Sequence, residues 1–555
     1  MRIHPIPLAA LLLALLPISA AAQEQKPLVD LRIVAINDFH GNLEPPPGGI
    51  RISDPADPTR KISVAAGGAE RMATLVKQLR GEVKNSIFVA AGDLIGASPL
   101  LSSMFHDEPT IEAMSQMGLE LSSVGNHEFD KGKAELQRMQ AGGCHPVDGC
   151  RGPHEFTGAK FTYLAASTFD TATGKTLFPP YAVKTFDGIP VAFIGLTLKG
   201  TPDIVSPPGV AGLKFGDEAE TVNALVPELK AKGIEAIVVL IHEGGTPTGD
   251  YNECPGISGA IVDIVKKFDP AVDIVISGHT HQAYICNIDG RLVTSADKYG
   301  TLVTAIDVKL DPRTRDVVSA HAENHIVRVD TLAKDPAQIA LIASYQQVAA
   351  PIANRKTGAI TASLTREPTA AGESALGDVI ADAQLAATVA PEAGGAVIAF
   401  TNPGGIRTDL LKPDDGAVTY AELFAVQPFR NALVTMTLSG AQLKQALEQQ
   451  WSDPNRARVL QVSRGFAYHW DNARTAGDRI IGDSLTLDGK PIAPSAQFRV
   501  TVNDFLASGG DGFKTFTEGT ERRYSSDLDV DALQAFVVRN TPISPPQRDR
   551  IQRLN

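Results

Sequence analysis

Four cysteines in 555 residues, no apolar run long enough to cross a bilayer and no excess of basic side chains are the first features of this chain. The longest early apolar run, Leu8 to Leu16, falls short of the roughly 20 residues a spanning helix needs, and later stretches of that length carry charges, Gly or Pro. No membrane span is expected. Lys plus Arg number 51 against 63 Asp plus Glu, a formal net charge of −12. That balance argues against a binder of nucleic-acid polymer that depends on a generally basic surface, and leaves room for a local basic pocket for a small anion. Glycine (49) and proline (37) stand near ordinary usage, so the chain is neither collagen-like nor disordered. There is no internal repeat, and low complexity is confined to Pro45-Pro46-Pro47.

At 43% hydrophobic the chain can bury a core, and its length predicts two large domains. Residues 1–22 read as a targeting signal: Arg2, the apolar run, then Ala20, Ala21 and Ala22 as a cleavage site. The expected product is an exported acidic protein, periplasmic or secreted, starting near Gln23. Cys144, Cys150, Cys254 and Cys286 allow three disulfide pairings. The local pair Cys144 and Cys150 is favoured over a small zinc site from Cys144, His145, Cys150 and His154, which lacks a CxxC pair. Cys254 with Cys286 is compatible with a second bridge.

Residues 27–334 alternate β-branched runs with helix-like stretches, the pattern of an α/β domain. Asp335 to Ala350 reads as a helix with Ile339, Leu341, Ile342 and Tyr345 apolar and Pro351 closing it, so residues 335–358 are expected to form an inter-domain connector. Residues 359–555 read as a second, mixed α+β domain, in which Ala441 to Trp451 is a helix with Leu443, Leu447 and Trp451 on one face.

Five strand-like runs of the first domain end in a turn carrying a metal-type ligand. Leu31 to Ile36 leads into Asn37-Asp38-Phe39-His40, Ser86 to Ala91 into Gly92-Asp93, and Leu121 to Val124 into Gly125-Asn126-His127-Glu128-Phe129-Asp130. Ala236 to Ile241 ends in His242-Glu243, and Val272 to Ser277 in Gly278-His279-Thr280-His281. Carboxyl ends of buried strands are where α/β sheets place their sites, so these loops are expected to meet. One such residue is usually a cap or turn residue, but five of the chain's twelve histidines fall in these turns. Two Asp, four His and one Asn suit two divalent cations that clamp a phosphoryl group and activate a water for in-line attack. With Asn126 as a ligand, His127 is free to steady transition-state charge or protonate the leaving oxygen, and Asp130 is placed to fix its tautomer. Glu44, Glu70, Glu128 and Glu243 read as salt bridges, caps or groups behind the ligands.

These blocks look like the five-part signature of the calcineurin-like metallophosphoesterases. The longer run Asn37-Asp38-Phe39-His40-Gly41-Asn42 and the two-domain length resemble the 5'-nucleotidase and UDP-sugar hydrolase family. The resemblance implies a four-layer αββα domain joined by a helix to a substrate-binding domain. It implies one ion on Asp38, His40, Asp93 and His281; mixed His and carboxylate sites accept several metals, and zinc or manganese is expected for both ions. A second would sit on Asp93, Asn126, His242 and His279, with Asp93 bridging. The family's catalytic pair corresponds to His127 and Asp130.

In the second domain, Asn402-Pro403-Gly404-Gly405-Ile406-Arg407 suits either a phosphate clamp or a plain turn followed by a surface arginine. Gln427-Pro428-Phe429 and Asn503 to Phe513 place aromatics beside turn residues, where two rings can sandwich a base and a carboxylate can hold ribose hydroxyls. The resemblance implies that Phe429 and Phe505 stack on the base, that Asp511 holds the ribose, and that Asn402, Gly405 and Arg407 contact the substrate. Arg366, ahead of Leu376-Gly377-Asp378, is nearest to a further family arginine. The expected reaction is removal of the 5'-phosphate of a nucleotide such as AMP. UDP-sugar hydrolysis, 2',3'-cyclic nucleotide phosphodiester cleavage and a silent nucleotide-binding protein are the alternatives. Asn354 to Gly358 is the expected hinge.

Overall fold

The computed structural model describes Met1 and residues 27–453 and 457–555; apart from Met1, the expected leader lies outside the described residues. Two six-stranded sheets form the first domain. In the first, Val29–Ile36 lies between antiparallel Leu302–Leu310 and parallel Ser86–Ala90, and Leu121–Ser123 and Thr162–Leu164 continue it. In the second, Ile189–Thr197, Ala236–His242, Ile274–Ser277 and Arg291–Ala296 run parallel, with antiparallel strands at both edges.

The side-chain alternation of a strand explains why these runs are apolar throughout. Leu31, Ile33 and Ala35 face Val238, Leu240 and Ile276 across the gap between the sheets. Val34 and Ile36 face the opposite way, into a core shared with helices Ala69–Gly81 and Glu108–Met117. On the other side Ile237, Val239 and Ile241 pack against Glu218–Ala231 and Ala260–Lys266. The result is the αββα layering.

The helix expected over 335–350 spans Pro336–Ala353, capped by Asp335, whose carboxylate accepts the amides of Ala337 and Gln338. It differs from expectation in two ways. Pro351 does not close it; a proline this near the end removes one backbone bond, and the helix ends only after Ala353. Ile339 is 41% exposed, because Gln338 takes the inward position and donates its amide to the Ala113 carbonyl. Leu341, Ile342, Tyr345 and Ala349 join the first domain's core, so this helix is physically part of that domain's outer layer. Lys356–Ala359 is a strand paired with Ala417–Thr419, which leaves only Asn354 and Arg355 between helix and strand.

The second domain is built on a five-stranded mixed sheet, with Ile398–Thr401 parallel to Gln497–Asn503 and the remaining pairs antiparallel. Helix Gly440–Glu448 and a following 3-10 turn, Gln449–Trp451, bury Leu443, Leu447 and Trp451. Ser439 caps the helix, with Gln442 answering from its third position. Disulfides join Cys144 to Cys150 and Cys254 to Cys286. The alternative zinc site is thereby removed: its sulfurs are spent, His145 stacks on His106, and His154 pairs with Glu112. Among the described residues no helix is long and apolar enough to cross a membrane.

Candidate active site

The five loops do meet. His40 Nε2 lies 3.1 Å from His281 Nε2, 3.8 Å from Asp38 Oδ1 and 3.6 Å from Asp93 Oδ2. Beside this group, His242 Nε2 is 3.0 Å from Asp93 Oδ2 and 3.1 Å from Asn126 Oδ1, which is 3.0 Å from His279 Nδ1. Asp93 belongs to both groups.

Several features fit these donors to metal ions. His40 Nδ1 donates to the Gly96 carbonyl (2.9 Å) and His242 Nδ1 to the Ala91 carbonyl (2.8 Å), so in both rings Nε2 is the nitrogen turned toward the carboxylates. The backbones of these residues are themselves unusual. Asp38, His40, Asp93, His279 and His281 all have positive φ, between 47° and 68°. Non-glycine residues adopt this conformation at a cost that a functional constraint can justify. Close approach also demands glycine: a Cβ on Gly125 would lie 2.1 Å from Asp93 Oδ1, and one on Gly92 (φ 81°) 2.7 Å from His242 Nδ1.

The electrostatics point the same way. Burial alone would raise the Asp93 carboxyl, but His242, His127 and His40 around it hold it far below the usual range. Burial disfavours charge on His242, yet Asp93 and Asp38 push it up to about 10; burial and the neighbouring His242 pull His279 down to about 3. These carboxylates call for positive charge at their centre, which divalent cations supply.

His127 stands beside the two groups. Its amide donates to Asp93 Oδ1 (2.9 Å), and its Nδ1 lies 2.8 Å from Asp130 Oδ2. Phe429 of the second domain stacks on the His127 ring, centroids 5.7 Å apart and tilted by 25°. The Arg407 guanidinium lies 5.7 Å from the Phe429 centroid, and its Nε and Nη2 are buried without a hydrogen-bond partner among the described residues. Asn402 donates to Asp511 (2.8 Å), and Asn503 donates to Asn402 (3.1 Å). Arg366 donates to the Ile406 carbonyl (3.1 Å) and pairs with Asp409. Phe505 packs one ring face on Gly510, where a Cβ would lie 2.5 Å away. One continuous cavity of about 1560 Å³ is lined by Asp93, Asn126, His127, Asp130, His279, His281, Arg366, Asn402, Gly405, Arg407, Phe429, Phe505 and Asp511.

Residues 31–283 match the family model described as calcineurin-like phosphoesterase, and residues 350–518 the one described as 5'-nucleotidase, C-terminal domain. The chain belongs to the family that joins these two domains. It is 33% identical to Endonuclease YhcR of Bacillus subtilis (strain 168), over 88% of this chain and 38% of that protein. It is 31% identical to Cell wall protein Lmo0130 of Listeria monocytogenes, over 89% of this chain and 65% of that protein. The chain thus spans less than two thirds of either relative. Among solved structures, the 5'-nucleotidase precursor from Thermus thermophilus superposes with a TM-score of 0.77 at 27% identity, covering 95% of this chain and 99% of that one.

Within the phosphoesterase domain, three residues outside the ligand set organise it. Glu128 accepts the amides of Gly125 (2.6 Å), Asp93 (2.9 Å) and Leu94 (2.8 Å), tying two ligand loops together. Burial and the adjacent Asp93 push its carboxyl up to about 8, against the pull of those amides. Asn37 donates to Asp38 (2.7 Å) and accepts from the Ala296 amide (2.7 Å). Both stood inside the sequence blocks, so their signal was position in the motif. Tyr299 had no such signal. Its amide donates to the Asp38 carbonyl, its ring meets His40 and His281 edge-on, and its hydroxyl reaches the Arg407 carbonyl of the nucleotidase C-terminal domain at 3.4 Å.

Proposed function

We propose that the chain is an exported phosphohydrolase that releases the 5'-phosphate of nucleotides such as AMP, giving nucleoside and inorganic phosphate. The observation that carries this reading is the single cavity in which unpartnered Arg407 nitrogens sit behind the ring stacked on His127. Guanidinium nitrogens buried without partners call for an anion, and the two ligand groups lie beside that ring.

One divalent cation would be held by Asp38, His40, Asp93 and His281, and a second by Asp93, Asn126, His242 and His279, with zinc or manganese the expected metal. Bound there, the two ions supply Lewis acidity toward the phosphoryl oxygens and lower the pKa of water. Arg407 and Arg366 bind and orient the phosphate. The carboxylates of Asp130 and Asp93 outweigh burial and raise His127, which holds a proton at Nε2 for the leaving ribose oxygen. Asn402 and Gly405 shape the turn that presents Arg407, Asp511 accepts from ribose hydroxyls, and Phe429 and Phe505 stack on the base. For a base to enter, Phe429 must leave His127. A rotation of the second domain, absorbed at Asn354 and Arg355 within the 335–358 connector, accomplishes this. The leader motif and the two disulfides favour a periplasmic or secreted location.

The similarity to a protein named an endonuclease favours phosphodiester cleavage as the second reading. A substrate panel of AMP, UDP-glucose and 2',3'-cyclic AMP, assayed on chelator-stripped and metal-reloaded protein, separates the readings. Metal-restored kcat/KM is expected to be highest for AMP; a higher value for either diester moves the assignment to that substrate.

A further inference from the structure

The cavity does not end at the residues assigned to the nucleotide. Asp511 divides it: Oδ2 accepts from Asn402, on the turn that carries Arg407, while Oδ1 faces Arg458 Nε at 3.8 Å. The same cavity is also lined by Arg458, Trp451, Trp470, Arg479 and Arg553. The two indoles are only 6% and 5% exposed and lie 5.0 Å apart, centroid to centroid, within the second domain's core. Trp470 is fixed further by its Nε1 bond to the Ala371 carbonyl (3.0 Å).

Each indole carries an arginine. The Arg479 guanidinium lies 5.4 Å from the Trp451 centroid, and that of Arg553 lies 5.3 Å from Trp470. A guanidinium laid on a buried ring is held in orientation and can turn its free N–H groups to an anion; Arg553 Nε donates to the Asn555 carbonyl, which leaves its terminal nitrogens for that role. The Arg479 side chain has no carboxylate partner among the described residues; its one hydrogen bond is to the Arg474 carbonyl. Arg458, shared between Asp453 and Asp511, brings a third cation to the boundary. None of these residues contributes to the metal groups or to the Arg407 turn, and their common chemistry is recognition of negative charge.

Resting on the nucleotide reading above, we propose that this arginine and tryptophan lobe is a second anion subsite, for a phosphate carried on the 2' or 3' side of the substrate's ribose. The direction follows from Asp511, which stands at the ribose position and separates the lobe from the 5'-phosphate end. The preferred substrates are therefore nucleotides extended beyond the ribose, and the reaction that supplies them is one that leaves 5'-phosphorylated bisphosphates or short oligonucleotide ends. Two sources carry this chemistry: a terminal 3'-phosphate and an internal phosphodiester.

The test compares AMP, adenosine 3',5'-bisphosphate and the 5'-phosphorylated dinucleotide pApA on the metal-loaded full chain, following release of the 5'-phosphate. In the unsubstituted protein kcat/KM for at least one extended substrate should exceed that for AMP by roughly tenfold, the worth of one charge-assisted contact. Advantage for the bisphosphate identifies a terminal phosphate as the ligand, and advantage for pApA identifies the diester. Equal values for all three overturn the proposal while leaving the nucleotidase reading intact. Loss of that reading shows separately, as absence of AMP turnover. In Arg479→Ala/Arg553→Ala the ratio of extended substrate to AMP should fall toward one, and in Arg479→Lys it should be intermediate. A ratio unchanged in both variants overturns the assignment of these arginines, as does an equal fall for every substrate.

Discussion

The two walls of the cavity are built on different physical terms. On the phosphoesterase side the groups are locked to one another: five of the candidate ligands sit in left-handed backbone, two imidazoles are oriented by backbone carbonyls, and Glu128 pins two loops through three amides. On the nucleotidase side the groups are held by rings, as in His127 on Phe429 and Arg407 over Phe429, and two Arg407 guanidinium nitrogens have no partner among the described residues. A site for cations needs donors fixed in advance, because spacing decides coordination. A site for an organic substrate is completed by that substrate. Substitutions should therefore be nearly all-or-none on the first wall and graded on the second.

The largest effect is expected at the shared ligand. Asp93→Asn should lower kcat for AMP by roughly a thousandfold or more and reduce the metal bound per chain, because one carboxylate serves both groups. Turnover and metal content both unchanged would break the comparison at its root.

Arg407→Ala should come next. Losing a buried phosphate clamp is expected to cost about a hundredfold in kcat/KM, with metal content intact. Metal lost together with activity would mean that the two walls are not separate.

Removing both rings sharpens the distinction further. Phe429→Ala with Phe505→Ala should raise KM for AMP by roughly ten- to thirtyfold while leaving a base-free phosphate ester nearly unaffected, since stacking is worth about 1 to 3 kcal/mol per base. An equal loss on the base-free ester would assign Phe429 to positioning His127 instead.

How much of this was legible in the sequence follows from the same contrast. The candidate ligands stand out in the sequence, because His, Asp and Asn at the ends of apolar strands have few other uses in combination, and the structure brings all seven of those residues into the two groups. The layered α/β fold was legible too, from apolar runs that two-sided burial requires. The tryptophan and arginine lobe was not. Trp451 read as a helix-face core residue, which it is, and nothing local ties it to Trp470, Arg479 or Arg553 at the far end of the chain. Pro351 misled because a proline marks a helix end only to within a residue or two, and Ile339 because Gln338 reached an inward carbonyl that sequence alone does not reveal.

The smallest expected effect concerns stability and contrasts two buried carboxylates. Asp93 is held low by histidines, whereas Asp378, buried beside Glu373 with Arg550 3.9 Å away, is pushed up to about 8, chiefly by burial. A carboxyl raised on folding stabilises the fold fully below its unfolded pKa near 4, and that contribution is lost as pH climbs toward 8. Asp378→Asn should flatten this decline and gain on the order of 2 kcal/mol at pH 8 relative to pH 4, read from urea unfolding at both values. A gain that is the same at both pH values would contradict the raised carboxyl.

The central claim is that both walls serve one reaction on a nucleotide. It is tested most directly by following phosphate and adenosine together, released from AMP by the unsubstituted protein stripped with chelator and reloaded with manganese or zinc. The account predicts no release after stripping and equimolar release of both products once metal is restored. Release that persists without metal, or reloaded protein that cleaves a generic aryl phosphodiester while leaving AMP intact, would contradict it.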